Sequence, residues 1–203
     1  SQTGQNQTVA VGYHAGSSNV SGAENVFVGA QAGYSTTGGF NTFTGYHAGT
    51  ANTSGQYNTF MGRKAGFACT TGLYSVAIGA GAAGSMGDGN ATEGTTVIGY
   101  NAGTGVTTGD NNTCVGHLAA DVLATGSRCV ILGYAAAASA NNVDDEIVIG
   151  SNATGKGTDT SFISANGGPI YAGNNSASLS TTSDRRIKQN IEDNNTGLDK
   201  INQ

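Results

Sequence analysis

Tryptophan is absent from this 203-residue chain, proline occurs once and leucine only six times. So little leucine excludes a heptad-patterned helical bundle. A single proline and the lack of any G-x-y period exclude collagen in spite of 34 glycines. Charge is scarce too, with 8 basic and 13 acidic residues, which excludes a charge-driven disordered tail. The first 155 residues carry eight acidic residues against three basic ones, Arg63, Lys64 and Arg128. Clustered cations for phosphate are missing, so nucleic acid is not expected as a partner. No apolar run is long enough for a membrane-spanning helix, and no basic segment followed by an apolar one opens the chain. Neither membrane insertion nor a secretory signal is therefore expected. Cys69, Cys114 and Cys129 are an odd number at unrelated spacings without a C-x-x-C pair, and read as buried small hydrophobes rather than disulfides or zinc ligands.

What the chain has in quantity is Gly, Thr, Asn and Ser, with 34, 25, 20 and 17 residues, and they recur with a period. Glycines 12, 29, 45, 62, 79, 99, 116, 133 and 150 stand 16 or 17 residues apart, with one step of 20. They define nine units of about 17 residues. Three residues before each Gly is a β-branched residue: Val9, Val26, Thr42, Thr59, Val76, Thr96, Thr113, Val130, Ile147. That column predicts a strand. The residue directly before the Gly is mostly apolar (Val11, Val28, Thr44, Met61, Ile78, Ile98, Val115, Leu132, Ile149). The residue between them is apolar as well (Ala10, Phe27, Phe43, Phe60, Ala77, Val97, Cys114, Ile131, Val148). Both faces of each strand are thus expected to be buried, one inside a coil and the other against a neighbouring chain. On this reading a lone solenoid exposes a stripe containing Phe27, Phe43 and Phe60.

Three residues after the Gly an Ala occurs in all nine units, where nothing larger is expected to fit. Ser54-Gly55, Thr71-Gly72, Thr108-Gly109 and Thr125-Gly126 read as outer turns. Asn25, Asn41, Asn58 and Asn112 at the strand entry suit local backbone bonds or an amide ladder between rungs. A single unit cannot bury a face, so stacking supplies the core, and one rung per unit gives a rod of roughly 40 Å. The expected fold is all-β: an elongated repeat of the β-roll, β-helix or β-prism kind, forming a homotrimeric fibre. Residues 156–182 break the period. There Ser161–Ser164 and Pro169–Ala172 read as short strands of a connector, separated by the turn signal Asn166-Gly167-Gly168.

The unit Ser75-Val76-Ala77-Ile78-Gly79-Ala80-Gly81-Ala82 resembles the S-V-A-I-G-x-x-A head repeat of trimeric autotransporter adhesins of the YadA type. Asn41-Thr42-Phe43-Thr44-Gly45-Tyr46-His47-Ala48-Gly49 resembles the N-T-x-x-G-Y-x-A-G repeats of phage tail fibres, and the likeness covers about residues 7–155. Thr181-Thr182-Ser183-Asp184-Arg185-Arg186-Ile187-Lys188-Gln189-Asn190-Ile191, with Leu198-Asp199-Lys200-Ile201, is similar to the opening of the peptidase S74 intramolecular chaperone domain. That resemblance implies a shaft over 1–155, a neck over 156–182 and, over 183–203, the truncated start of a domain that assists trimeric folding and then cuts itself off. By the family motif the catalytic residues are Ser183 and Lys188 and the scissile bond is Thr182–Ser183. Cationic Arg185 and Arg186 favour the neutral amine of Lys188 as base toward the serine hydroxyl. Read without the family, Ser183-Asp184 is also a turn or helix N-cap.

The resemblance implies a virion protein of the tail fibre that binds the host surface. Its partners are itself, other phage tail proteins and a host receptor, a glycan among the candidates, and no cofactor or metal is expected. The alternatives are a bacterial trimeric surface adhesin and a tailspike depolymerase, which needs two positioned carboxylates. Ice binding through Thr42, Thr59, Thr96 and Thr113 is a third class, disfavoured because Val and Ile interrupt the column, as suits a core. His14 and His47 read as solvent-facing rather than as a metal ring, and Asp144-Asp145-Glu146 as an acidic outer loop rather than a calcium site. Tyr13, Tyr46, Tyr100 and Tyr134 read as corner packing rather than sugar platforms.

Overall fold

A computed structural model describes residues 7–86, 93–165, 168–172 and 180–181. It is a β-solenoid whose nine repeat units each contribute one short strand: β1 (Val9–Val11), β2 (Val26–Val28), β3 (Thr42–Thr44), β4 (Thr59–Met61), β5 (Val76–Ile78), β6 (Thr96–Ile98), β7 (Thr113–Val115), β8 (Val130–Leu132) and β9 (Ile147–Ile149). With β10 (Ser161–Ala165) they form one parallel sheet in sequence order, so the stack runs on past residue 155. The sheet then turns antiparallel through β11 (Gly168–Ala172) and β12 (Ser180–Thr181).

Register is constant along the stack. Val26 pairs with Thr42, Phe27 with Phe43 and Val28 with Thr44, and the same offset repeats from β1 to β9. Each unit therefore sets every side chain over its equivalent in the next unit. Phe27, Phe43 and Phe60 consequently stack along the interior, with ring centroids 5.6 and 4.8 Å apart.

The repeat glycine closes each strand at positive φ, +136° at Gly45, and the next unit's Gly62 carbonyl oxygen occupies the place of a Cβ there. A side chain at this column would push two coils apart. The following Ala is buried in every unit from Ala32 to Ala136, and Ala15 packs partly buried against the core. Its carbonyl accepts the next link of the ladder, as when Gly49 N–H donates to Ala65 at 2.9 Å.

Core volume is shared between two columns. Where the middle residue of the strand is Phe43 or Phe60, the residue four after the repeat Gly is Gly49 or Gly66. A Cβ on Gly49 would sit 2.6 Å from Cδ2 of Phe43. Where the middle residue is Ala77 or Cys114, the same position is Ala83 or Ala120, at φ 52° and 59°. Positive φ alone therefore does not demand glycine here; the size of the side chain beside it does, a ring at Gly49 and Gly66 and Val97 at Gly103.

The strand-entry asparagines bond the backbone of the next coil rather than one another. Asn41 donates its side-chain amide to the Gly55 carbonyl at 2.9 Å, and its Oδ1 accepts the Asn58 backbone N–H at 3.1 Å. Asn58 repeats the pattern onto Gly72 and Ser75, and Asn112 onto Gly126 and Cys129. Of the turn glycines read from sequence, Gly55, Gly72 and Gly126 thus accept from buried amides and Gly109 from the Thr95 hydroxyl.

Two expectations are corrected. The phenylalanine column is not an exposed stripe but the fully buried interior, and the threonine column is not part of the core. The columns that face outward are the β-branched first residues, including Thr42, Thr59, Thr96 and Thr113, and the mostly apolar third residues of the strands.

Candidate interaction face

Because successive residues of a strand alternate sides, burying the middle residue of β2–β9 turns the first and third outward, and β1 at the end of the stack follows the same register. The outward columns run Val9, Val26, Thr42, Thr59, Val76, Thr96, Thr113, Val130, Ile147 and Val11, Val28, Thr44, Met61, Ile78, Ile98, Val115, Leu132, Ile149, and every member is exposed or half-buried. Val11 is 57% exposed, Met61 42% and Ile98 36%, although each packs against strands above or below. None of these eighteen residues is charged. The result is a continuous apolar and hydroxyl stripe along the length of the rod.

Aromatic columns lie on the turns on both sides of the strands. Tyr13, Tyr46, Tyr100 and Tyr134, expected to pack at the corner, are each half or more exposed and touch ring neighbours instead. Tyr13 and Tyr46 meet His14 and His47 edge-on at 4.1 Å. Tyr100, His117 and Tyr134 form a tilted series at 5.2 and 5.3 Å. Sequence reading missed a second series before the strands: Phe40, Tyr57 and Tyr74 stack nearly parallel at 4.7 and 5.2 Å, all three at φ between 56° and 62°. Their signal was their equal place in three successive units, five residues before the repeat Gly.

The acidic triplet does not act as a group. Asp145 makes a two-point pair with Arg128, Nε to Oδ1 at 2.8 Å and Nη2 to Oδ2 at 2.7 Å, which holds the Asp145 carboxyl below its usual range. Asp144 accepts the Ser127 N–H at 2.7 Å. Glu146, expected in an outer loop, is fully buried in the asparagine column and accepts N–H groups of Ser139 at 2.9 Å and Gly157 at 2.7 Å. Among the described residues no three His, Cys, Asp or Glu side chains come together as metal ligands.

All three thiols are buried and free. Burial pushes Cys69 up to about 11 and Cys114 up to about 12, and raises Cys129 as well, so the thiolates needed for chemistry are suppressed. Ser183, Lys188 and the Thr182–Ser183 bond lie outside the described residues. Among the described residues no helix is long and apolar enough to cross a membrane. In comparison with known proteins, the chain matches no family model, no curated protein and no solved structure.

Proposed function

We propose that the chain is a segment of a homotrimeric phage tail fibre, a structural and adhesive virion protein that reaches and binds the host cell surface. One observation carries this reading: a rigid rod of in-register coils presents an uncharged apolar stripe along its whole length. A lone rod in water has no use for such a surface, whereas a fibre of several chains covers it. The aromatic series on the turns stay outside and are available to a receptor, a host glycan among the candidates. Other tail proteins are its structural partners.

The segment from Ser183 onward supplies the second half of the proposal. Its likeness to the self-cleaving chaperone assigns Ser183 as nucleophile and Lys188 as base for breaking the Thr182–Ser183 bond after the fibre has folded. Mass spectrometry of the native gene product, wild type beside Ser183→Ala, tests this half. Wild-type subunits ending at Thr182 and an uncut variant are the expected result. Uncut subunits in both would remove the release step and bring the surface-adhesin alternative forward. Shortened capsule or lipopolysaccharide chains after incubation with the protein would instead favour the depolymerase.

A further inference from the structure

We infer that the turn after β5 is a notch that binds the acidic group of a saccharide, a carboxylate or a phosphate carried on a sugar. The inference rests on the receptor-binding reading above and gives the receptor a chemical class and a place on the rod.

Charge divides across the strands. The turns that follow them in the first six units, residues 12–21, 29–38, 45–54, 62–71, 79–86 and 99–109, contain no Asp or Glu. Glu24 and Glu93 stand exposed on the turns that precede β2 and β6. Arg63 and Lys64 are the sole Lys or Arg of the chain before Arg128, and both lie on the acid-free side. Among the described residues the ion pairs are those of Arg128. Arg63 is exposed, and Lys64 holds its Nζ 5.2 Å from the centre of the Phe67 ring. Two adjacent cations without a carboxylate, on a chain of net charge -5, form a local positive field.

Small residues open the space beside them. The constant register sets Ala80 and Gly81 over Arg63 and Lys64, and Tyr100 and Asn101 over Ala80 and Gly81. The Gly81 N–H donates to the Arg63 carbonyl and the Asn101 N–H to the Ala80 carbonyl, both at 2.9 Å, so the three turns are in contact. The ridge of large side chains along this edge therefore drops at one level, between walls two rungs, or about 10 Å, apart. Asn101 Oδ1 occupies the place a Cβ would take on Gly81, at φ +72°, so only glycine suits this floor.

The walls select the ligand. The planar Arg63 guanidinium matches a carboxylate or phosphate at two points, and Lys64 adds a second charge. The Asn101 amide supplies a neutral donor and acceptor. Phe67, half-buried, and Tyr100, 56% exposed, offer ring surface to the apolar face of a sugar. A neutral sugar leaves both cations unused, and a bare inorganic anion leaves the rings unused. A sugar that carries an acid engages all of them.

Binding of the full chain to immobilised uronic-acid-bearing, phosphate-bearing and neutral versions of one saccharide, at low salt, tests the notch. The two acidic arms identify which acid is read. The wild type is expected to bind at least one acidic version about tenfold more tightly than the neutral one, with a preference that weakens as salt is added. Ala80→Tyr fills the notch with a side chain that the same column carries at positions 46 and 100 and leaves the net charge unchanged. It is expected to abolish the preference, as is the double variant Arg63→Gln, Lys64→Gln, while each keeps the β-type circular dichroism of the coil. Arg128→Gln removes a cation outside the notch and is expected to retain the preference. No acidic preference in the wild type, or one that survives Ala80→Tyr, overturns the notch, and a mass of three chains in the same sample then leaves the fibre reading standing. A mass of one chain together with a preference that Ala80→Tyr abolishes upholds the notch and removes the fibre.

Discussion

The two sides of the same three-residue strands obey different rules. On the inner side each large residue is matched by a small one: Phe43 faces Gly49 and Phe60 faces Gly66, whereas Ala77 is answered by Ala83. On the outer side Val, Thr, Ile, Met and Leu alternate without any such compensation, and all remain accessible. Size matching marks a surface packed against its own chain in a fixed register. Shared chemistry without size matching marks a surface that is kept apolar for something outside the coil. The inner side carries the stability of the coil, and in the proposed fibre the outer side carries its association.

Breaking the inner side should have the largest effect. Phe43→Ala removes the middle ring of the interior stack and is expected to destabilise the coil by about 3–5 kcal/mol, read as a fall in denaturation midpoint. Gly49→Ala, one methyl added against that ring, should cost about 1–3 kcal/mol. In the Phe43→Ala background the same methyl enters vacated space, so the penalty should shrink or reverse, and a double-mutant cycle measures the coupling. Additive losses would refute the size-matching account.

Asn58→Ala leaves the Gly72 carbonyl and the Ser75 N–H without their side-chain partner and should cost about 1–3 kcal/mol, with faster amide exchange at Ser75 as the local signature. Outward substitutions sharpen the contrast from the other side. Ile78→Thr installs a residue the outer columns already use, and should change the stability of the coil by no more than about 0.5 kcal/mol while weakening assembly.

The smallest effect is expected at the exposed Arg128–Asp145 pair. Arg128 holds the Asp145 carboxyl below its ordinary range, so the contribution is fully present above the unfolded carboxyl's value and fades as pH falls through the lowered folded one. Arg128→Gln should leave the thermal midpoint at neutral pH within error, with any difference from wild type vanishing as the solution is acidified.

Much of the fold was legible because a repeat prints each structural need nine times. The β-branched column, the repeat glycine, the invariant alanine and the asparagine ladder each state one requirement and recur in place. Which apolar side faced inward was not read correctly, since both sides are apolar and Phe27, Phe43 and Phe60 suggested a partner surface. The distinguishing signal was present in Gly33, Gly49 and Gly66, the glycines of the three phenylalanine units, where a Cβ would strike the ring, as against Ala83 and Ala120 beside Ala77 and Cys114. Glu146 was likewise misplaced by its neighbours Asp144 and Asp145. Its position, four before Gly150, is that of Asn41 and Asn58, and this register sends it into the core. The Phe40–Tyr57–Tyr74 series escaped because each residue stands in a turn, where composition rather than column was weighed.

The mass of the assembled chain in solution, by native mass spectrometry at low micromolar concentration, is the most direct test of whether the outer side exists for other copies. Three times the 20.1 kDa subunit is the predicted result. A stable, folded species of a single 20.1 kDa subunit would contradict it and leave the stripe without the partner assigned to it.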